Sequence, residues 1–490
     1  MKTWLRRPEP WVFAILFGSY AYYWQARDWN SASRFMLTYA VVDRGTISID
    51  GLEQQTGDLA LVDRHYYTDK FPGVSALGVI PYVLAKRVFG LPSHPLGIKG
   101  IAYWPADYWV TLGTSGLLTA LAGAILARLA IELGCGPRRA ALVGLTYGLG
   151  TPAYAYATMF FGHQAAAFCM IASFALLWKP EGRAQSFRMG LAGFLAAYAS
   201  VIELAVGPVS AVLGLYLLGQ VVARVRKPSA IGQFAVGALI PTLFLLLYNQ
   251  LAFGSPLDTG YSHLITRMFA EVHTQKNPLG LRSPELARVV HLLWGRYRGL
   301  LFYAPITVLT PFGLIALWVH RQRGMAVVSL AVMLAVFAVN LSYPAWTGGW
   351  TTGPRLLVPM LPFAQLPVAG LLAHGDKWVT ALAFVLALGG FVIIFLFVGV
   401  GGQAPQYLED PLLQLVWPRW RGERVPLVTG DEFFARNVLM LTRWSWPGVT
   451  TFAGRGPIAF VPLGAAQAVA FCLMLYALRT RRVRSADLPG

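Results

Sequence analysis

Charged residues are scarce in this chain. They make up 13% of 490 residues, with 22 acids against 40 lysines and arginines, and there are only three cysteines. A chain this long that is 56% hydrophobic, with a mean hydropathy of +0.53, carries more apolar surface than a soluble core can hold, so a polytopic membrane protein is expected. Cys135, Cys169 and Cys472 lie in or beside apolar runs, which argues against a disulfide framework or a cysteine metal site. No Walker loop, GxGxxG, HExxH or CxxC pattern occurs, so nothing indicates an ATP-driven or soluble-nucleotide enzyme. The net charge of +18 does not call for a nucleic acid partner, because the basic residues sort by membrane side.

Twelve apolar stretches are long enough to span a bilayer, at approximately 10–26, 108–133, 139–157, 161–178, 189–207, 208–223, 231–250, 299–319, 325–342, 355–374, 377–400 and 456–478. The start, MKTWLRRPEP, lacks a small-residue cleavage site after its apolar run and reads as the flank of a retained first span. Short connections carrying Arg138, Arg139, Lys179, Arg183, Arg188, Arg224, Arg226, Lys227, Arg321, Arg323 and Lys377, together with the basic tail, fall on the side of the N-terminus. This is the positive-inside pattern, with both termini cytoplasmic and membrane lipid headgroups as neighbours. The expected fold class is thus all-α and polytopic, with about twelve transmembrane helices.

The opposite side carries long loops at about 27–107, 251–298 and 401–455, where function usually resides. Residues 1–400 read as a core, 401–455 as a small outer region, and 456–490 as a last span and basic tail. In the first loop SASRFMLTYAVV sets Phe35, Met36, Tyr39 and Val42 at helical spacing, which predicts an amphipathic helix lying on the membrane. GVSALGVIPYVLAKRVFG is too short to span and predicts a second interfacial helix. This loop also concentrates the acids Asp28, Asp43, Asp50, Glu53, Asp58, Asp63 and Asp69.

A carboxylate at an interface can take a proton from an acceptor hydroxyl or amine, and a lysine can hold a phosphate as a point charge. Asp28 in DWN, and Asp69 with Lys70 in HYYTDKFPG, have those residue types; Asp58 and Tyr67 stand close by in sequence. Solvated loop charges are the plain alternative for any one acid. Glu203 lies within an apolar segment, where a cavity or an ion pair accounts for it equally well. His163, opening span four, fits a helix cap or a cavity residue. YPAWTGGWTTGPR packs Trp346, Trp350, glycines and Arg355 into one turn; tryptophan faces can stack on a sugar and arginine suits a phosphate. An aromatic belt with a snorkelling arginine is the simpler reading of the same turn. Tyr248 and Asn249, in YNQLAFGSP, either frame a cavity wall or merely end a helix.

Taken in order, the acid after span one, the amphipathic outer segment, Asp69-Lys70-Phe71-Pro72, MFFGHQ, YNQLAFGSP, RGLLFYAPI and WTGGWTTGPRLLVPMLPF resemble the GT-C superfamily of membrane glycosyltransferases. The similarity is to the protein mannosyltransferase and lipid A aminoarabinose transferase branch, a glycosyltransferase family 39-like group, over residues 10 to 375. The resemblance implies transfer of a hexosyl or pentosyl unit, with inversion, from a polyprenyl-phosphate carrier to a glycan, lipid or protein acceptor at the outer face of a bacterial inner membrane. It implies Asp28 as catalytic base, Asp69 as a second carboxylate, and Lys70 and Arg355 as phosphate ligands. A divalent cation (Mg, Mn or Zn) held by Asp28, Asp69 or His163 is an open expectation, because the paired acids of the family are here Asp28-Trp29-Asn30. A transporter or flippase of lipid-linked sugars would use the same cavity without a base, and no inverted repeat supports it. A membrane scaffold fits poorly with the outer carboxylates.

Overall fold

The structure is a computed structural model that describes residues 3–25, 27–99, 104–178, 182, 184–274, 277, 279–423, 425, 438–439 and 460–478. Most of the last outer loop, the basic tail and parts of the 179–183 connection lie outside these residues.

Helix α1 (Pro8–Tyr20) starts with prolines in its first turn, where the missing amide is no loss. A two-residue strand β1 (Tyr23–Trp24) pairs antiparallel with β4 (Val438–Leu439). Helix α2 (Trp29–Arg44) is capped reciprocally: Asp28 accepts from Ser31 N and the Ser31 hydroxyl accepts from Asp28 N. Gly45, at φ +66, ends it. Then β2 (Leu59–Val62) and β3 (His65–Thr68) form a hairpin whose turn, Asp63-Arg64, has both φ values positive. Helix α3 (Gly73–Phe89) follows.

The rest is helical: α4 (Pro105–Glu132), α5 (Pro137–Leu149), α6 (Gly162–Trp178), α7 (Gln185–Ile202), α8 (Leu204–Val222), α9 (Ser229–Phe253), α10 (Pro305–Val319), α11 (Arg323–Ser342), α12 (Arg355–His374), α13 (Lys377–Val400) and α14 (Val461–Ala477). All twelve apolar stretches hold helix, the last partly beyond the described residues. Among the described residues, six helices are long and apolar enough to cross a bilayer: α4, α8, α9, α11, α12 and α13. Stretch 139–157 breaks at Gly150–Pro152, and stretch 299–319 breaks at Ala304–Pro305, because proline cannot continue the ladder behind it.

Helix α12 is enclosed, with Leu361 through Gly370 all buried between α4, α5, α10 and α11. Helix α9 instead exposes Ile240, Leu243, Leu247 and Leu251, as a lipid-facing helix does. It meets α7 across glycines: a Cβ on Gly193 would lie 1.9 Å from Phe234 O, and one on Gly237 1.8 Å from Gly190 O. Close backbone approach of this kind is how helices pack where lipid removes the hydrophobic drive.

One expectation changes here. Helix α2 does not lie with one face on a surface: Ser31 through Ala40 are all buried. The hairpin covers one side, tied by Ser33 Oγ donating to Asp58 O at 2.7 Å and meeting Thr68 Oγ1 at 2.6 Å; α3 covers another, with Ser75 Oγ donating to Arg34 O at 2.9 Å. The polar positions that looked like a water-facing stripe are the ones that lace α2 to its neighbours.

Candidate active site

A cavity of about 1000 Å³ opens between residues of the 27–107 loop, the 251–298 loop and the adjoining helix ends. Each wall delivers a charged group through its local fold. The start of α2 supplies Arg27, Asp28, Asn30 and Arg34. The hairpin turns the chain back on itself, so Asp58, just before β2, comes beside Asp69 and Lys70, just after β3. Lys70 Nζ lies 2.8 Å from a carboxylate oxygen of Asp58 and 2.8 Å from one of Asp69. Gly260 allows the second loop to approach: a Cβ there would sit 2.7 Å from Asp69 Cα.

Glu203 sits between α7 and α8 and receives Arg34 Nη2 at 2.9 Å, with His163 Nδ1 3.8 Å away. Its carboxylate reaches the N-terminus of α6 only because Gly162 has no side chain, since a Cβ would meet Oε1 at 2.2 Å. A carboxylate at a helix start is stabilised by the unpaired amides and the helix dipole.

Arg355 begins α12 with its guanidinium 5.3 Å from the Phe161 ring centroid. It makes no ion pair among the described residues, and its buried Nε has no hydrogen-bond partner there. The turn before it is shaped by Gly348 (φ +74) and Gly349 (φ +73), and Gly348 packs against the Arg355 side chain. Buried Arg298 clamps that turn by donating to Thr347 O and Gly349 O, both at 3.1 Å.

Burial pushes the Asp28 carboxyl above its ordinary value, with the Ser31 hydrogen bonds and then the Arg355 charge opposing. Burial also pushes Asp69 up to about 6; Lys70 opposes this and Asp58 adds to it. For Lys70, burial disfavours the ammonium, but Asp58 and Asp69 outweigh it and hold the group charged well above its usual range.

Of the residues singled out in the sequence, Asp28, Asp58, Asp69, Lys70, His163, Glu203, Trp350 and Arg355 all line this one cavity. Four do not. Tyr67 and Tyr248 set their ring edges against Phe253, at 5.8 and 6.1 Å between centroids. Asn249 donates to Pro256 O at 3.0 Å and so shapes the exit from α9. Trp346 packs by His291 and Tyr297 at 6.0 and 6.2 Å. These side chains are taken up by helix ends and loop packing, which a sequence pattern does not distinguish from a cavity wall.

Arg27, Arg34, Tyr261, His273, Asn340 and Tyr343 also line the cavity, though no sequence motif singled them out. Arg34 carried a usable signal, as the lone charge inside SASRFMLTYAVV. So did Asn340, a lone amide at the end of an apolar run. Arg27 carried none, because its buried partner Asp107, at 3.2 Å, is eighty residues away.

Among the described residues no three His, Cys, Asp or Glu side chains gather as metal ligands. Asp28 is occupied with capping, Asp69 with Lys70, and His163 stands by Glu203. The cation expected at Asp28, Asp69 or His163 thus finds no ready-made set of three such ligands among the described residues, and the chemistry proposed below uses the chain's own groups.

Fold and cavity together define an integral membrane protein, mostly helical, with an open, charged chamber at its loops. No family model and no curated protein matches the chain. Among the solved structures similar to it are two that hold a lipid phosphate. One is the crystal structure of ArnT from Cupriavidus metallidurans bound to undecaprenyl phosphate, at 13% identity and TM-score 0.48 over 95% of this chain and 74% of that one. The other is the archaeal oligosaccharyltransferase AglB from Archaeoglobus fulgidus in complex with an inhibitory peptide and a dolichol-phosphate, at 12% identity and TM-score 0.41 over 81% and 55%. Both TM-scores fall below 0.5, and the role of each residue rests on the geometry of this chain alone.

Proposed function

We propose that residues 1–400 form the catalytic core of a glycosyltransferase of the bacterial inner membrane, working at its outer face on a polyprenyl-phosphate-linked sugar. The observation that carries this reading is the pairing, in one cavity, of a carboxylate and an uncommitted guanidinium, Asp28 and Arg355, beside an apolar wall. Leu204, Val206 and Pro208 of α8, with Val336 and Val339 of α11 and Leu356 and Pro359 of α12, make that wall. It suits a lipid carrier whose phosphate ends at the charged centre.

In the proposed reaction the acceptor oxygen or nitrogen attacks the anomeric carbon as the bond to the phosphate oxygen breaks. The electron pair leaves with the polyprenyl phosphate, and the acceptor proton goes to Asp28. Arg355 meets the charge growing on the departing phosphate. Attack from the face opposite the leaving group gives inversion, for a hexosyl or pentosyl unit alike. The geometry supports Arg355 over Lys70 as the main phosphate ligand. Lys70 already faces two carboxylates, so a phosphate there meets a centre of net negative charge, whereas Arg355 has no such partner among the described residues. Lys70 and Asp69 then shape the field on the acceptor side.

Purified protein supplied with a polyprenyl-phosphate hexose and candidate acceptors is expected to release polyprenyl phosphate. Asp28→Asn should lower turnover by about two orders of magnitude or more while leaving donor binding intact. Arg355→Gln should weaken donor binding at least about tenfold, the loss of one charge-assisted hydrogen bond. Full turnover in both variants would end this assignment, and carrier crossing the bilayer without sugar transfer would favour a flippase.

A further inference from the structure

Asn340 is a polar side chain in an apolar wall. It lies one turn beyond Val336 on the cavity face of α11, is 1% exposed, and neither Nδ2 nor Oδ1 has a hydrogen-bond partner among the described residues. Buried amides are ordinarily paired, and polar groups in membrane helices ordinarily serve a ligand or a partner helix. The residues next to it along the cavity are aromatic and polar. Tyr343 meets His273 Nε2 through its hydroxyl at 2.9 Å, and His273 stacks on Tyr261 with centroids 4.4 Å apart and planes 15° from parallel. Tyr261 and Tyr343 both feel the Lys70 charge, so this cluster borders the charged centre.

We propose that Asn340 reads a hydroxyl of the transferred sugar, whose ring lies on the Tyr261–His273–Tyr343 cluster; the inference rests on the proposed function. The chemistry of the amide selects the ligand. It offers a donor and an acceptor side by side, and a hydroxyl satisfies both, whereas a phosphate, having only acceptors, leaves Oδ1 empty. With so little of Asn340 exposed, the entering group must also be small. Aromatic faces beside such a site match the apolar face of a pyranose ring. Asn340 is then a specificity-determining residue that acts on the sugar and not on the carrier.

The test compares binding of polyprenyl phosphate, its hexosyl ester and a set of monodeoxyhexosyl esters to the full-length protein and to Asn340→Leu. In the unmodified protein one monodeoxy ester should bind about tenfold more weakly than its parent, the loss of an ordinary hydrogen bond. Asn340→Leu should erase that difference, leave polyprenyl phosphate binding unchanged, and keep or raise thermal stability, since the amide has no protein partner to lose. An equal loss for all carriers, or a fall in stability, would make Asn340 a structural residue and overturn the proposal. Unchanged discrimination in Asn340→Leu overturns it as well. If the unmodified protein binds no carrier at all, the underlying function fails first, and the inference with it.

Discussion

Glu203 and Arg34 offer the sharpest energetic test, because the sequence left a buried acid with two equal readings and the fold supplied its partner. Their side chains are 15% and 3% exposed and meet at 2.9 Å. In such a site, removing one member of the pair leaves a charge that water cannot solvate, at a cost of about 3–5 kcal/mol. The two halves are not equivalent. Arg34→Met leaves Glu203 the N-terminus of α6, His163 at 3.8 Å and the field of Arg355, so its loss should fall at the lower end. Glu203→Leu leaves Arg34 with Asn30 Oδ1 at 3.1 Å and with Nη1 already unpaired among the described residues, so its loss should fall at the upper end. The double variant removes both charges and should recover most of the stability, because a matched apolar pair carries no desolvation debt. The assay is thermal unfolding of the purified protein in detergent for all four members of the cycle. Single variants that unfold with the parent, or losses that simply add in the double variant, would refute a coupled pair.

Two further outcomes are expected. Asp69 binds its proton more tightly folded than unfolded, with its value pushed from 3.8 to about 6, so the native state holds more protons and stability should fall as pH climbs from about 4 to about 6. Asp69→Asn should remove that decline; a variant that follows the parent at every pH would show that Asp69 titrates normally. Gly193→Leu would set a β-carbon 1.9 Å from Phe234 O, forcing α7 and α9 apart, so yield of folded protein and thermal stability should both drop, whereas the neighbouring Leu191→Ala, on a partly exposed position, should be mild.

The sequence by itself determined what depends on composition and local order. Apolar runs of the right length marked the helices, because a bilayer demands that each segment satisfy its own backbone. The acid Asp28 after the first span and the motif-bearing residues Asp69, Lys70, His163 and Arg355 stood out against an apolar background. Tertiary structure alone decided which of them meet. The hairpin at 59–68, too short and too mixed to register as strands, brings Asp58 to Lys70 and so takes that lysine's charge out of play. Arg34 finds Glu203 across 169 positions, and Arg27 finds Asp107 across eighty. Tyr67, Tyr248, Asn249 and Trp346 look like cavity residues in one dimension, and in three they pack beside the cavity without lining it. Pairing of charges over such distances depends on how helices are laid side by side, and no local pattern of residues encodes it.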